Sequence, residues 1–168
     1  GRVKRMLDNA ESVVNVCLIP SFLQSYVNNF EIQNSHRNAQ SRGVKLRCIT
    51  EIKEDNIEKC RQLMSTAEIR HLPNVIGILL VTEKEFFNDI DPLPFSSSSQ
   101  LLYGYLEEVV KQHLDIFENL WNNGITVEER IQQIEKEKDQ EETRLIETST
   151  QFHNFMINCL QDAIEKDW

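Results

Sequence analysis

Short apolar segments, separated by amphipathic ones, run through the first two thirds of the chain. Residues 13–19 (VVNVCLI) are almost continuously apolar, which is typical of a strand buried on both faces. Residues 44–50 (VKLRCIT) and 75–81 (VIGILLV) have a similar character, and residues 101–105 predict a fourth, shorter strand. The pattern therefore predicts a sheet of about four strands.

Helical patterns occupy the spaces between these strands. Ser21 and Gln24 form a capping box before one amphipathic segment, and Asp55 and Glu58 form another. Alternation of strands and helices is typical of a mostly parallel sheet covered by helices. We therefore predict a three-layer α/β domain over residues 1–124.

The strongest helical pattern follows the fourth predicted strand. Residues 87–100 contain two prolines and four consecutive serines, which predict a loop. Beyond it, a wide apolar stripe from Leu106 to Trp121 recurs at helical spacing, and Gly124 ends it. This helix is expected to pack on the sheet.

A highly charged segment with few apolar residues ends the chain. Thr126 and Glu129 predict a helix start, and the residues that follow are mainly charged. Apolar residues from Ile131 to Cys159 fit heptad a and d positions with polar interruptions. We predict that residues 126–168 form a helical signalling or dimerisation extension, a coiled coil in a homodimer. The alternative is a solvated helix that folds back on its own domain.

Charge and hydropathy narrow the classes of partner. The chain has 168 residues and a formal net charge of -9, and its basic patch at residues 42–47 is short. Since phosphate binding needs clustered lysine and arginine, we expect no nucleic-acid partner. No apolar run reaches the length of a membrane span, so we expect no membrane contact by this segment.

The cysteines predict the cellular compartment, and the first residue bears on whether the chain is part of a larger protein. The four cysteines show no CxxC spacing, and Cys17 and Cys48 lie inside predicted strands, where cysteine is usually a small apolar residue. A cytoplasmic location with reduced thiols is expected. The chain begins with Gly1 rather than methionine, which suggests a module excised from a larger protein.

Motifs for catalysis, metals and cofactors are missing from the sequence. The five glycines form neither a GxGxxG nor a GxxxxGK[ST] loop, and GxSxG and HExxH are also absent. The four histidines are far apart and lack ligand-like spacing. We therefore predict no catalytic residue, no metal and no cofactor.

Five residues near the predicted strand ends are candidates for binding a small ligand. Thr50 and Glu51 follow the second strand, where ligands bind in open parallel sheets. Arg70 and His71 precede the third strand, at the opposite edge unless the chain turns back, and Arg47 lies within the second strand. The alternative is that Glu51 pairs with Arg47 or Arg70 merely to fix a loop.

A set of ordered motifs resembles the input domain of archaeal sensory histidine kinases of the thaumarchaeal type. These motifs are RGVKLRCITEI at residues 42–52, RHL at 70–72 and FENLWN at 117–122, and the resemblance spans about residues 40–131. It implies a cytoplasmic sensing or relay domain placed before kinase or relay domains of the parent chain. The α/β pattern also resembles half of a phospholipase D-type domain, but no histidine begins that family's HxKxxxxD motif.

The function expected from these observations is that of a non-catalytic sensory or relay module of a signal-transduction histidine kinase. It would sense a small ligand or a partner and transmit the change through the C-terminal helix. One alternative is a phospholipase D-like or other small α/β enzyme domain. Another is a pure dimerisation scaffold.

Overall fold

The structure, a computed structural model, describes residues 1–90 and 100–166, without the side chains of residues 90 and 100. The chain divides into two compact units, residues 1–130 and 131–168. The helices are α1 (Arg2–Asn9), α2 (Pro20–Asn28), α3 (Phe30–Ser41), α4 (Ile57–Leu63), α5 (Glu107–Asn123) and α6 (Val127–Lys166), with a short 3-10 helix at Glu54–Asn56. The strands are β1 (Val13–Leu18), β2 (Lys45–Thr50), β3 (Glu68–His71), β4 (Ile78–Thr82), β5 (Phe86–Ile90), β6 (Gln100–Gly104) and β7 (Ile125–Thr126).

The α/β class is confirmed, but the predicted sheet is wrong in strand number and direction. The described strands form one sheet of seven, in the order β6-β5-β4-β1-β2-β3-β7. Only the β1–β2 and β2–β3 pairs are parallel, and the other four pairs are antiparallel. The sheet is therefore mostly antiparallel instead of a mostly parallel sheet of about four strands.

The direction of β4 follows from the short connection that precedes it. Residues 72–77 lead from β3 to β4, and these strands are separated by β2 and β1, a distance of about 14 Å at the usual strand spacing. Six residues can span that distance along one edge but cannot also return to the opposite edge. Asn74 and Gly77 have positive φ angles of 57° and 74°, which help this segment to turn. β4 therefore starts at the edge where β3 ends and runs antiparallel.

Two of the strands that the pattern missed are short or polar. β3 is a four-residue strand that the sequence pattern does not predict. β5 begins at Phe86, so the loop predicted for residues 87–100 is wrong at its start, while residues 91–99 lie outside the described part of the chain. Pairing with the apolar strands β2 and β4, rather than local pattern, fixes both.

The two faces of the sheet are covered by different helices. Phe117 and Trp121 of α5 pack with Cys17, Ile49 and other apolar residues of the central strands. On the opposite face, α1 to α4 cover the alternate residues of β1 and β2, which are also buried. This division decides which polar side chains can meet.

Candidate functional site

Arg47 is a buried arginine on the α5 face of the sheet, and it joins β1, β2 and α5. Its Nε donates a 2.8 Å hydrogen bond to Oδ1 of Asn15, and its Nη1 lies 3.3 Å from Oε2 of Glu118. Its Nη2 also donates to Oε1 of Glu118, so the ion pair is bidentate. The hydrogen bond from Arg47 holds the pKa of the Glu118 carboxyl below its usual range, and the charges of Lys45 and Arg70 act in the same direction.

Trp121 lies between two guanidinium groups. The guanidinium carbon of Arg47 is 5.2 Å from the centre of the indole, and that of Arg70 is 4.5 Å from it. Arg70 Nη1 also donates a 2.7 Å hydrogen bond to the carbonyl of Trp121, one of the last carbonyls of α5. Both the cation–π contacts and this hydrogen bond stabilise the C-terminal end of α5 against β2 and β3.

The carboxyl ends of β2 and β3 are closed by their own side chains and backbone. Thr50 Oγ1 donates a 2.8 Å hydrogen bond to the carbonyl of Leu18, and Thr50 is fully buried. His71 Nδ1 accepts a 2.8 Å hydrogen bond from the backbone N–H of Ile52. The N–H of Leu72 bonds to the carbonyl of Thr50 at 3.2 Å. The edge at which the sequence predicted an open binding site is therefore occupied by the connection into β4.

Hydrogen bonds connect this edge to the end of α5 and the start of α6. The carbonyl of Ile52 accepts a 3.1 Å hydrogen bond from Nε of Arg130, while its N–H is bonded to His71. β7 pairs antiparallel with β3 at the same point. We refer to Ile52, Arg70, His71, Trp121 and Arg130 together as the junction.

Gly124 lies in close contact with Arg70 and His71 of β3. A Cβ atom there would be 3.0 Å from Cβ of Arg70 and 3.2 Å from the carbonyl oxygen of His71, so only glycine fits without displacement. Beyond it, Glu129 accepts a 2.8 Å hydrogen bond from the N–H of Thr126, and Thr126 Oγ1 accepts one of 3.1 Å from the N–H of Glu129. The capping box predicted for this helix start is thus present.

The predicted ligand-binding residues do not converge. Arg47 and Arg70 lie on the α5 face, whereas Thr50 and His71 lie on the opposite face, because side chains alternate along each strand. Arg70 and His71 both belong to the junction, where they hold backbone groups in place. The sequence identified positions that brace the fold.

Glu51 has a different ion-pair partner from the arginines considered above. Its carboxylate lies 3.7 Å from Nζ of Lys53, two residues away. Arg47 instead pairs with Glu118, which lies in the FENLWN motif but was not a candidate ligand-binding residue. Asn15 could have been noticed as the one polar residue inside the first apolar run. Arg130 and Glu118 carry no signal at all in the pattern of their helices.

The buried histidines are engaged in the packing of the domain. His36 Nε2 is 2.6 Å from the hydroxyl of Tyr26, and Nδ1 is 3.4 Å from Oγ1 of Thr66. Burial lowers the pKa of His36 to about 4, so its ring is neutral near neutral pH. His113 is hydrogen-bonded to the carbonyl of its own preceding helical turn and stacks on Phe86 with ring centres 3.7 Å apart.

The buried cysteines are protonated thiols. Burial raises the pKa of Cys17 to about 12 and of Cys60 to about 11, so these thiols stay protonated and unreactive. Within residues 1–90 and 100–166, no group of three or more His, Cys, Asp or Glu side chains is arranged to hold a metal ion. No helix of the described chain is both long and apolar enough to cross a membrane.

No family model matches this chain. No curated protein matches it either. Among solved structures, it is similar to TrmBL2, an archaeal chromatin protein described as showing a novel mode of DNA binding, with 16% identity and a TM-score of 0.58 over 74% of this chain. It is also similar to Nuc from Salmonella typhimurium, a phospholipase D family member, with 12% identity and a TM-score of 0.56 over 74% of this chain. The chain matches 49% of the chromatin protein and 88% of Nuc.

These similarities establish the fold and correct one prediction. The sequence analysis excluded a nucleic-acid partner on the ground of net charge, yet an archaeal chromatin protein with a DNA-binding mode has this fold. Net charge describes the whole chain and does not constrain a local surface, so the exclusion is wrong as a rule for this fold. The predicted homodimer and kinase partners find no support in either similar structure.

Proposed function

We propose that this chain is a non-catalytic sensory or relay module of a signalling protein, of the histidine-kinase type that its ordered motifs resemble. The observation that carries the proposal is the junction, in which one backbone unit, Ile52, is bonded to His71 on one side and to Arg130 on the other. A change at the end of β2 or β3 therefore acts on the residues where α6 begins. Coupling of this kind requires an element with alternative arrangements, and the start of α6 is the candidate.

Two further observations support a non-catalytic role. The fold is similar to that of a phospholipase D family member, while no histidine of the sequence is followed by lysine at the second position, as HxKxxxxD requires. His36 and His71 are buried and hydrogen-bonded within the domain. The enzymatic alternative predicts turnover of a phosphodiester such as bis(p-nitrophenyl) phosphate, and we expect none above the rate without protein.

The functional test joins the full chain to the kinase core of a characterised sensor kinase and measures autophosphorylation. Arg70→Ala and Arg130→Ala are expected to change the rate by at least about fivefold, as typical coupling energies allow. Arg61→Ala is the matched control, because Arg61 pairs only with Glu58 on an exposed helix surface in the described chain. Equal rates for the junction variants and the control would refute the relay.

A second candidate function is nucleic-acid binding, which the similarity to the chromatin protein favours. Its test is fluorescence anisotropy with a labelled DNA duplex at two salt concentrations. Binding that weakens steeply as salt increases would support this candidate, since neutralised phosphates release counterions. A flat titration at low salt would exclude it for the duplex used.

A further inference from the structure

A cavity of about 120 Å³ lies on the face of the sheet opposite α5. It is bounded by β1, β4 and β5 of the sheet and by α1 and α2. A single water needs only roughly 10–15 Å³ of such space, so the cavity has room for a ligand of several non-hydrogen atoms. No junction residue lines it, because the junction lies at β3 and after β2, whereas the cavity lies against β1, β4 and β5.

The wall of this cavity combines aromatic rings with one carboxylate. Phe22, Tyr26 and Phe87 contribute the rings, Asp89 contributes the carboxylate, and aliphatic side chains of β1 and β4 complete the lining. The hydroxyl of Tyr26 is already bonded to His36, which leaves the ring as its free part. Aromatic faces beside a carboxylate are the surroundings that favour an organic ammonium group.

The carboxylate of Asp89 favours a ligand that carries a positive charge. Its Oδ1 is shielded from solvent and has no hydrogen-bond partner among the residues that the structure describes. An anionic oxygen in such surroundings is costly unless a cation or a donor meets it. A ligand cation in the cavity would remove that cost.

Two basic side chains near the cavity are engaged elsewhere. Arg2 and Lys4 flank Val3, which lines the cavity. The guanidinium of Arg2 lies 4.0 Å from the ring centre of Tyr103, and Lys4 pairs with Asp8 at 2.5 Å. Neither is therefore the partner of Asp89 in the described structure, and the site for a cation is left open.

We propose that this cavity binds a small organic cation with an alkylammonium head group. The rings of Phe22, Tyr26 and Phe87 would surround the methyl or methylene groups, and Asp89 would meet the charge. This goes beyond the relay proposed above, because binding here requires neither the junction nor α6. Small organic cations would then be the class of ligand that the proposed sensory module detects.

The test is calorimetric titration of the full chain with tetramethylammonium chloride at constant ionic strength. Saturable binding is expected, with tert-butanol, the neutral molecule of similar shape, binding more weakly. Asp89→Asn removes the charge at constant shape and is expected to weaken binding by about tenfold or more, on the scale of a lost charge contact. Asp115→Asn is the matched control: it makes the same change at an exposed position on α5 and should leave affinity within about twofold.

A second variant keeps the test decisive if Asp89→Asn proves unstable. Phe22 is 40% exposed, so Phe22→Leu should fold while removing one ring. It is expected to weaken tetramethylammonium more than tert-butanol. No saturable binding, equal binding of the two probes, or unchanged affinity in Asp89→Asn would each overturn the proposal, and none of these results would bear on the junction.

Discussion

Arg47 illustrates how a residue in an apparent ligand-binding position can serve the fold. It is 8% exposed, yet it meets a carboxylate, an amide and two aromatic rings, so its charge is compensated on every side. A buried charge of this kind is tolerated only when its partners are all in place. Removing it leaves the buried Oδ1 of Asn15 without its donor, whereas Glu118, which is 47% exposed, is then solvated by water.

We therefore expect Arg47→Ala to lower the free energy of unfolding by about 1–3 kcal/mol, mainly because it leaves the buried Oδ1 of Asn15 without a donor. Arg61→Ala serves as the comparison, because the Arg61 and Glu58 side chains are 54% and 77% exposed. That change should cost no more than about 0.5 kcal/mol. Urea unfolding measures both, and similar losses for the two variants would contradict the assignment.

His36 makes stability depend on pH on the acid side. Its pKa is lowered by burial from 6.5 to about 4 in the folded chain, so the unfolded chain binds the proton more readily between these values. The contribution of His36 to stability is therefore fully present above about pH 6.5. As the pH drops towards 4, the free energy of unfolding falls by up to about 3 kcal/mol. Below the folded value the loss from this group levels off.

Urea unfolding at several pH values between about 7 and 4 checks this, with His36→Gln as the comparison. Glutamine keeps a polar side chain near Tyr26 but does not titrate, so the variant should lose much of the slope in this interval. An unchanged slope in His36→Gln would assign the pH dependence to other groups.

At the scale of elements, β6 and α5 are held together through Phe86. A Cβ on Gly104 would lie 2.5 Å from Cε1 and 2.8 Å from Cζ of Phe86, whose ring is buried and stacked on His113. Because the ring has no room to retreat, Gly104→Ala should destabilise the chain by about 1–3 kcal/mol. This cost comes from overpacking between strands, not from backbone conformation.

The double variant Gly104→Ala with Phe86→Leu distinguishes overpacking from a general intolerance of change. The smaller side chain should make room, so the two losses should be less than additive in thermal or urea unfolding. Strict additivity would mean that the Cβ of residue 104 does not meet this ring.

What the sequence predicts well are elements with strong apolar runs, whereas of the predicted capping boxes only that of Thr126 and Glu129 is present, and those at Ser21 and Asp55 are not. The runs at 13–19 and 44–50 coincide with β1 and β2, and the stripe from Leu106 to Trp121 coincides with α5. The run at 75–81 is a strand as predicted, but its direction depends on the length of the 72–77 connection. β3 and β7 are too short to leave a local signal and exist through pairing.

The candidate site was only partly accessible from the sequence, for a similar reason. Arg70 and His71 were identified by their position next to a strand, but their partners, Trp121 and Ile52, are fixed by the packing of α5 and by the loop after β2. The two residues also face opposite sides of the sheet, which follows from their being neighbours on a strand that the pattern did not reveal. Because β3 was not predicted, the sequence could not assign Arg70 and His71 to either face of the sheet.

At the scale of the whole molecule, the fold is compatible with more than one function. It is shared in outline by a chromatin protein and by a phospholipase D family member, so function has to be argued from side chains. The relay proposed here rests on the side chains of the junction. The junction joins the sheet to the residues that open α6, and the most direct consequence is a change in local stability there.

Hydrogen–deuterium exchange of the full chain measures this connection. His71→Ala and His36→Ala each remove a buried, hydrogen-bonded imidazole, but His71 bonds to Ile52 of the junction whereas His36 contacts Tyr26 and Thr66. With the overall loss of stability taken into account, His71→Ala is predicted to speed exchange at residues 125–130 selectively, whereas His36→Ala should act on α2 and α3. Equal exchange at residues 125–130 in the two variants would contradict the relay.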